Sequence, residues 1–446
     1  MSTVTVTGAN GQSVSLSFDT EANAALARQI AAAITAGVQN HSIIPAVDTD
    51  GPPPPLPPGA TGEFVQTKDG LTVLPPGYKA FVDTASESVV FGSGSGDQSV
   101  LSSIGDTTFN ATGGSGTVVA GGGNNRIVIP GGDKGNWSIS TGNGDDAIFA
   151  LGGGSDTINP GGGSNAISLG GGKYLMQSTG DDTVVAGTGS ETIAAIGAAT
   201  DLIFGDASRL YYVGTKGSAT IFGGSGSDTF FGGTGPDVVH GGTGGSNLLV
   251  AGLGSATLYG GGNGDLLVAS GKVGQQLHAG AGNETLNGAL APGADTLFGG
   301  SGAVSILGGA NDTFVAGTGS ATVDAPLGNN MFEFNDGKAG GTALIEGFAS
   351  GQDTIDLLGY GKNEVTQALK NQHVVGGNAT ITLSDHTTIT FVGVSTLSAA
   401  DFSTISGGGG GGGNGDDHGQ GNKGHGGNDG DDLSHIRDMP IGHSDH

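Results

Sequence analysis

The chain has no cysteine, which excludes disulfide staples and thiolate metal sites. No stretch approaches the ~18 consecutive apolar residues of a membrane helix, so no span is expected. Basic residues are scarce: 14 Lys and Arg stand against 41 Asp and Glu, a formal net charge of −27. A field of that sign repels phosphate, so nucleic acid and anionic membranes are poor partners. Cations are favoured ones. After Met1-Ser2-Thr3-Val4 no basic region leads into an apolar core, so no secretory leader of the usual kind is expected. H-E-x-x-H, a phosphate-binding loop ending in Lys-Ser/Thr, and G-x-S-x-G are all missing. The part of the chain ahead of its repeats is also short for a catalytic domain. The expectation is a protein that is not an enzyme.

Glycine, by contrast, supplies 94 of the 446 residues. Collagen needs glycine at every third position, and that period is not present. Disorder needs few aliphatics, yet 35% of the chain is apolar. What remains is a tightly turned repeat. One apolar side chain recurs about every nine residues, from Phe91, Val100, Phe109, Val118, Val128 and Ile139 through Leu175, Ile203 and Phe230 to Phe332. The series takes 26 steps across 241 residues, about 9.3 residues per step. That period fits a short strand and a turn, with one inward side chain per strand. Glycine supplies the turns, because it accepts positive φ at little cost. One buried aliphatic is a small return for ordering nine residues, so something else should hold the turns.

Around this core the composition shifts. Val4, Val6, Val14, Leu16 and Phe18 alternate about Asn10-Gly11, which predicts a hairpin. Asp19 or Thr20 should cap a helix that runs to about Val38, with Leu26, Ile30, Ile34 and Val38 on one stripe. The predicted divisions are a hairpin-and-helix head over 1–47, separate from the rest, and a stiff proline-rich linker over 48–62. The start of the coil follows over 63–139, its main run of glycine/aspartate repeats over 140–342, and closing strands over 343–406. A disordered Gly/Asp/His tail, 407–446, ends the chain. It holds His418, His425, His435, His443 and His446. The expected fold is all-β: a parallel β-solenoid with a small α+β head.

The help for the turns lies two residues before the inward side chain. Gly223-Gly224-Ser225-Gly226-Ser227-Asp228-Thr229-Phe230 and Gly232-Gly233-Thr234-Gly235-Pro236-Asp237-Val238-Val239 are tandem copies of G-G-x-G-x-D-x-U in register. Through these the chain resembles the RTX, or hemolysin-type, calcium-binding repeat proteins, over about residues 140–402. The resemblance implies a right-handed parallel β-roll with Ca²⁺ held at the turns by the sixth-position aspartates and the turn-glycine carbonyls. It also implies secretion without a leader, by the type I route, to an extracellular site.

Carried onto this sequence, position six reads as two interleaved rows. One holds Asp146, Asn165, Asp182, Asp201, Ala219, Asp237, Ala256, Gln275, Asp295, Asp312 and Asn330. The other holds Asp156, Lys173, Glu191, Leu210, Asp228, Asn247, Asp265, Glu284, Val304 and Ala321. The ligands implied are Asp228 with Gly224 and Gly226, and Asp237 with Gly233 and Gly235. Asp265, Asp182, Asp201, Asp295, Asp312, Asp146 and Asp156 complete the set. Lys173 should spoil its neighbourhood. Before Asp146, position six holds Gln98, Thr107, Gly116, Arg126 and Trp137, so the front should be free of metal. The same aspartates could instead only cap turns, and that alternative stays open. The functions expected are a calcium-dependent structural or interaction role, or a surface adhesin with a polysaccharide or cell-surface partner. A third is a polysaccharide-active enzyme working in a groove of the coil.

Overall fold

The computed structural model describes residues 1–8, 11–47, 52–94, 96–198, 200–206 and 208–403. The expectation for the tail over 407–446 lies outside these residues, as do Asn10 of the hairpin turn and the start of the linker at 48–51.

Short strands rich in Val, Ile, Leu and Phe alternate with glycine turns and fall alternately into two parallel sheets. One sheet is 16-stranded and runs from Gly70–Val73 to Thr354–Leu358. The other starts with Ile43–Val47 against Thr61–Gln66 and continues to Thr342–Glu346. Each strand pairs with the strand two later, so Ile221, Val239, Leu258, Leu277 and Leu297 align across coils in one sheet. Tyr212, Phe230, Leu249, Leu267 and Leu286 align in the other. Two strands and two turns therefore make one coil. The coils satisfy each other's N–H and C=O groups. At ~4.8 Å per step the 16-stranded sheet is about 70 Å long. The aligned side chains fill one continuous core column between the sheets.

The inward phase differs from the nine-residue series at three places. Phe91 is exposed and Val90 is buried; Ile127 and Ile129 point inward rather than Val128; Tyr174 and Met176 do so rather than Leu175. A shift of one residue exchanges the two faces of a strand. In these strands apolar residues occupy both faces, so spacing alone could not choose between them. The coil also begins well before Phe91, at Ile43–Val47.

The head is not a separate unit. Its hairpin pairs Ser2–Thr7 with Ser13–Phe18, and its helix spans Glu21–Gln39 with Thr20 as N-cap. Val4, Val6, Leu16, Phe18, Ala24, Ala27 and Ile34 share a second core with Val65, Val82, Leu101 and Val119 on the outer face of a coil sheet. Asn23 donates through Nδ2 to Ala120 O (3.1 Å) and Thr141 O (2.8 Å). Asp19 Oδ2 accepts from the Asn143 amide at 2.6 Å. The outer valines and leucine explain the docking: a polar outer face would have left the head free.

At the far end the coil continues into the segment expected to close it, through Thr354–Leu358. The closing piece proper is Thr388–Phe391 laid on Thr342–Glu346, then Asn378–Thr382 and His373–Val375 in antiparallel order. A short helix, Glu364–Lys370, appears where only strands were expected. Covering the last strand removes a pairing edge.

Candidate metal centre

The turns stack as tightly as the strands. A Cβ built on Gly252 or Gly254 would collide with Gly233 O and Gly235 O of the coil before. That close approach is why glycine recurs at these turn positions. It leaves columns of carbonyl oxygens along each edge of the coil, with position six at their inner border.

Every sixth-position aspartate and asparagine of the predicted set is buried. Most make the same bond, accepting through one side-chain oxygen from the position-six amide of the preceding coil. Asp237 Oδ1 takes the Ala219 amide (2.9 Å), Asp228 Oδ1 that of Leu210 (3.0 Å) and Asp295 Oδ1 that of Gln275 (2.8 Å). Asp146 Oδ1 takes the Asn125 amide (2.7 Å) and Asp156 Oδ1 the Trp137 amide (2.8 Å). Asp182 Oδ1 accepts from Asn165 Nδ2 at 2.7 Å. The coil geometry thus aims these side chains along its axis, into the stacked turns.

The second oxygen divides them. Oδ2 of Asp146, Asp156, Asp182, Asp228, Asp237 and Asp295 is buried without a well-formed hydrogen bond, as are both carboxylate oxygens of Glu191 and Oε1 of Glu284. At Asp228 and Asp237 this oxygen lies over the first glycine of its own turn. A Cβ there would stand 2.5 Å from it at Gly223 and 2.6 Å at Gly232. Burial pushes Asp146, Asp182 and Asp237 up to about 6, Asp295 up to about 7 and Glu191 up to about 8. Asp156 and Asp228 are raised by the same cause, which their backbone hydrogen bonds only partly offset. Unpaired buried carboxylates are costly. Eight such groups, four on each edge of the coil, are an unmet demand for positive charge.

The other expected ligands are closed by the protein itself. Asp265 Oδ2 accepts from the amides of Gly261 (2.8 Å) and Gly262 (3.1 Å), and Asp312 Oδ2 from that of Gly309 (2.6 Å). Asp201 is held by Ser178 Oγ (2.8 Å) and Tyr212 Oη (3.0 Å). At these three the turn-capping alternative describes what the side chain does. Asp353, beyond the rows read from sequence, caps in the same way, taking Asn330 N and Ala349 N. Ala219 and Ala256 flank Asp237 in register as the spacing predicts. Two assignments shift with the corrected phase. Position six is Tyr174, not Lys173, which is exposed and outside the turn; and it is Asn125, not Arg126. The signal for both was present in sequence, since Tyr174-Leu175-Met176 and Ile127-Val128-Ile129 allow either face inward.

Residues 213–245 and 291–323 match the RTX calcium-binding nonapeptide repeat (4 copies). These two segments are RTX calcium-binding nonapeptide repeats. The first matched segment contains Asp228 and Asp237, and the second contains Asp295 and Asp312. Comparison with curated proteins and with solved structures returned no match.

The donor chemistry fits the ion that RTX repeats bind. Among the described residues no three His, Asp or Glu side chains converge. A site here therefore offers one orphaned carboxylate oxygen and the carbonyls of stacked turns. All are hard oxygen donors, the kind Ca²⁺ takes in sets of six to eight. Asp228 with Gly224 and Gly226, and Asp237 with Gly233 and Gly235, are candidates to hold it, since each of these aspartates has an unpartnered Oδ2 within a matched repeat.

Proposed function

We propose that this calcium-binding repeat protein works outside the cell and completes its fold there by taking up Ca²⁺, in a structural or interaction role without catalysis. The observation that carries this is the set of buried, unpartnered carboxylate oxygens at the turns. Bound Ca²⁺ supplies the positive charge those oxygens lack. The chain's own part is to hold each carboxylate by one oxygen and present the other beside turn carbonyls. Without the ion, eight orphaned carboxylates on one edge or the other oppose the last steps of coiling. With it, binding free energy adds to folding free energy. A charge of −27 keeps the unliganded chain expanded, which suits passage through a type I export channel. Family-type affinities of ~10⁻⁴–10⁻³ M match extracellular calcium.

Enzymatic action in a groove is the weaker reading. An open groove is lined by Asp156, Lys173, Tyr174, Glu191 and Arg209. The unpartnered carboxylate oxygens of Asp156 and Glu191 are buried, so a substrate in the groove does not reach them. Circular dichroism and melting with and without millimolar Ca²⁺ test the proposal. A gain of β signal and of Tm on adding calcium is expected; superimposable spectra and melts would sink it.

A further inference from the structure

At three turns a neutral side chain donates to the turn carbonyls. Gln275 stands at position six and is 1% exposed. Its Nε2 donates to Gly252 O (2.8 Å) and Gly254 O (2.9 Å), carbonyls two and four of the turn one coil earlier. Its Oε1 accepts from Ser270 N at 2.7 Å, which fixes the amide orientation. That earlier turn belongs to Ala256, which has no side-chain oxygen of its own. Asn125, also 1% exposed, donates through Nδ2 to Gly121 O (3.1 Å), Gly123 O (3.1 Å) and Asp146 Oδ1 (3.1 Å). Two turn carbonyls and one carboxylate are the donor set of a cation site, here gathered on an amide. Tyr174 Oη donates among Ala150 O (2.8 Å) and Gly152 O (2.8 Å) and accepts from Gly170 N (3.0 Å).

Two of these side chains are carboxamides and the third is a phenol, and they come from both edges of the coil. What they share is an N–H or O–H placed between turn carbonyls of the kind that elsewhere face an orphaned carboxylate. We infer that Gln275, Asn125 and Tyr174 are built-in substitutes for the cation, so that the turns they serve close without metal. The inference rests on the calcium-binding reading above and adds to it which turns take the ion. A donor hydrogen and a cation compete for the same lone pairs, so a turn has one or the other. By this rule Asp156 leaves the ligand set, because Tyr174 already uses the carbonyls of its turn. Asp228, Asp237 and Asp295 remain in it.

The isosteric change Gln275→Glu tests this. It replaces the donating NH₂ with an oxygen while keeping shape, so two carbonyls then face a carboxylate. In a chelator the Tm of the full chain should fall by on the order of 5 °C. Millimolar Ca²⁺ should restore it, and titration calorimetry should count about one more Ca²⁺ than in the parent chain. Asn125→Asp should behave alike at an independent turn, which covers the case that Gln275→Glu does not fold in chelator. If both variants keep the parent's calcium count, or lose stability that calcium does not restore, the inference is overturned. A parent chain that binds no calcium would instead overturn the calcium reading itself, and the substitutes with it.

Discussion

A single side-chain oxygen separates the two kinds of aspartate in this chain. Asp237 and Asp201 share a position in the repeat and are both buried, but Asp237 Oδ2 has no partner while both oxygens of Asp201 are held by hydroxyls. Asp237→Asn should therefore remove about one bound Ca²⁺ and, by deleting a buried charge, raise Tm in chelator. Asp201→Asn should leave the calcium count unchanged. Calorimetric titration of both decides it: loss of an ion from the Asp201 variant alone would show that the unpartnered oxygen is not the mark of a site. The aspartates themselves were legible from the nonapeptide. Their division was not, because the partners of Asp201, Ser178 and Tyr212, come from other strands and turns. No local spacing encodes that meeting.

At the scale of the element, a strand's outer face can matter as much as its inner one. One residue past the inward position, Phe204, Phe222, His240, Tyr259, His278 and Phe298 stack ring on ring. Their centroids lie 5.5, 5.1, 4.4, 4.5 and 4.0 Å apart. The parallel register imposes this, since it sets equivalent residues one strand spacing apart. His240 is thus a member of a ladder and not an isolated surface residue. Burial in the stack lowers both His240 and His278, and His240 further lowers His278. Tyr259→Ala removes two stacked contacts at once and should cost about 1–3 kcal/mol. Melting with calcium present reads it, at unchanged calcium stoichiometry; a variant that melts like the parent would mean that the ladder contributes nothing.

For the whole molecule, the raised carboxylates make stability a function of both pH and calcium. Asp146, Asp182, Asp237, Asp295 and Glu191 have ordinary values of 3.8 or 4.5 when unfolded and about 6 to 8 when buried. Glu63, buried under the docked head and without a partner on either oxygen, is pushed up to about 7 by the same cause. Groups raised on folding contribute stability that is complete below the unfolded values and lost as pH rises through the folded ones. In chelator, Tm should therefore fall as pH rises from about 4 to about 8. In calcium the trend should flatten or reverse, because the ion binds only the ionised form. Melting curves across that range in both buffers check the sign. A chelated chain whose Tm does not change with pH would show that the buried carboxylates are not taxed by folding.

How much of this was written in the sequence follows from the range of each interaction. The nine-residue apolar period and the G-G-x-G-x-D-x-U turns are local, so the parallel coil, its core column from Val100 to Phe332 and the acidic turn positions could be read directly. The sequence also determined that charge would need a cation. Three things were decided only by the folded coil. The inward phase at Val90, Ile127 and Met176 depended on which face met the column. The head docked because Val65, Val82, Leu101 and Val119, far apart in the chain, formed one apolar patch. And the choice between a metal-demanding and a self-closing turn was made by Gln275 and Tyr174 from one coil away and by Asn125 within its own turn. A repeat specifies its own turn; what fills the space between two turns depends on which residues the winding brings together.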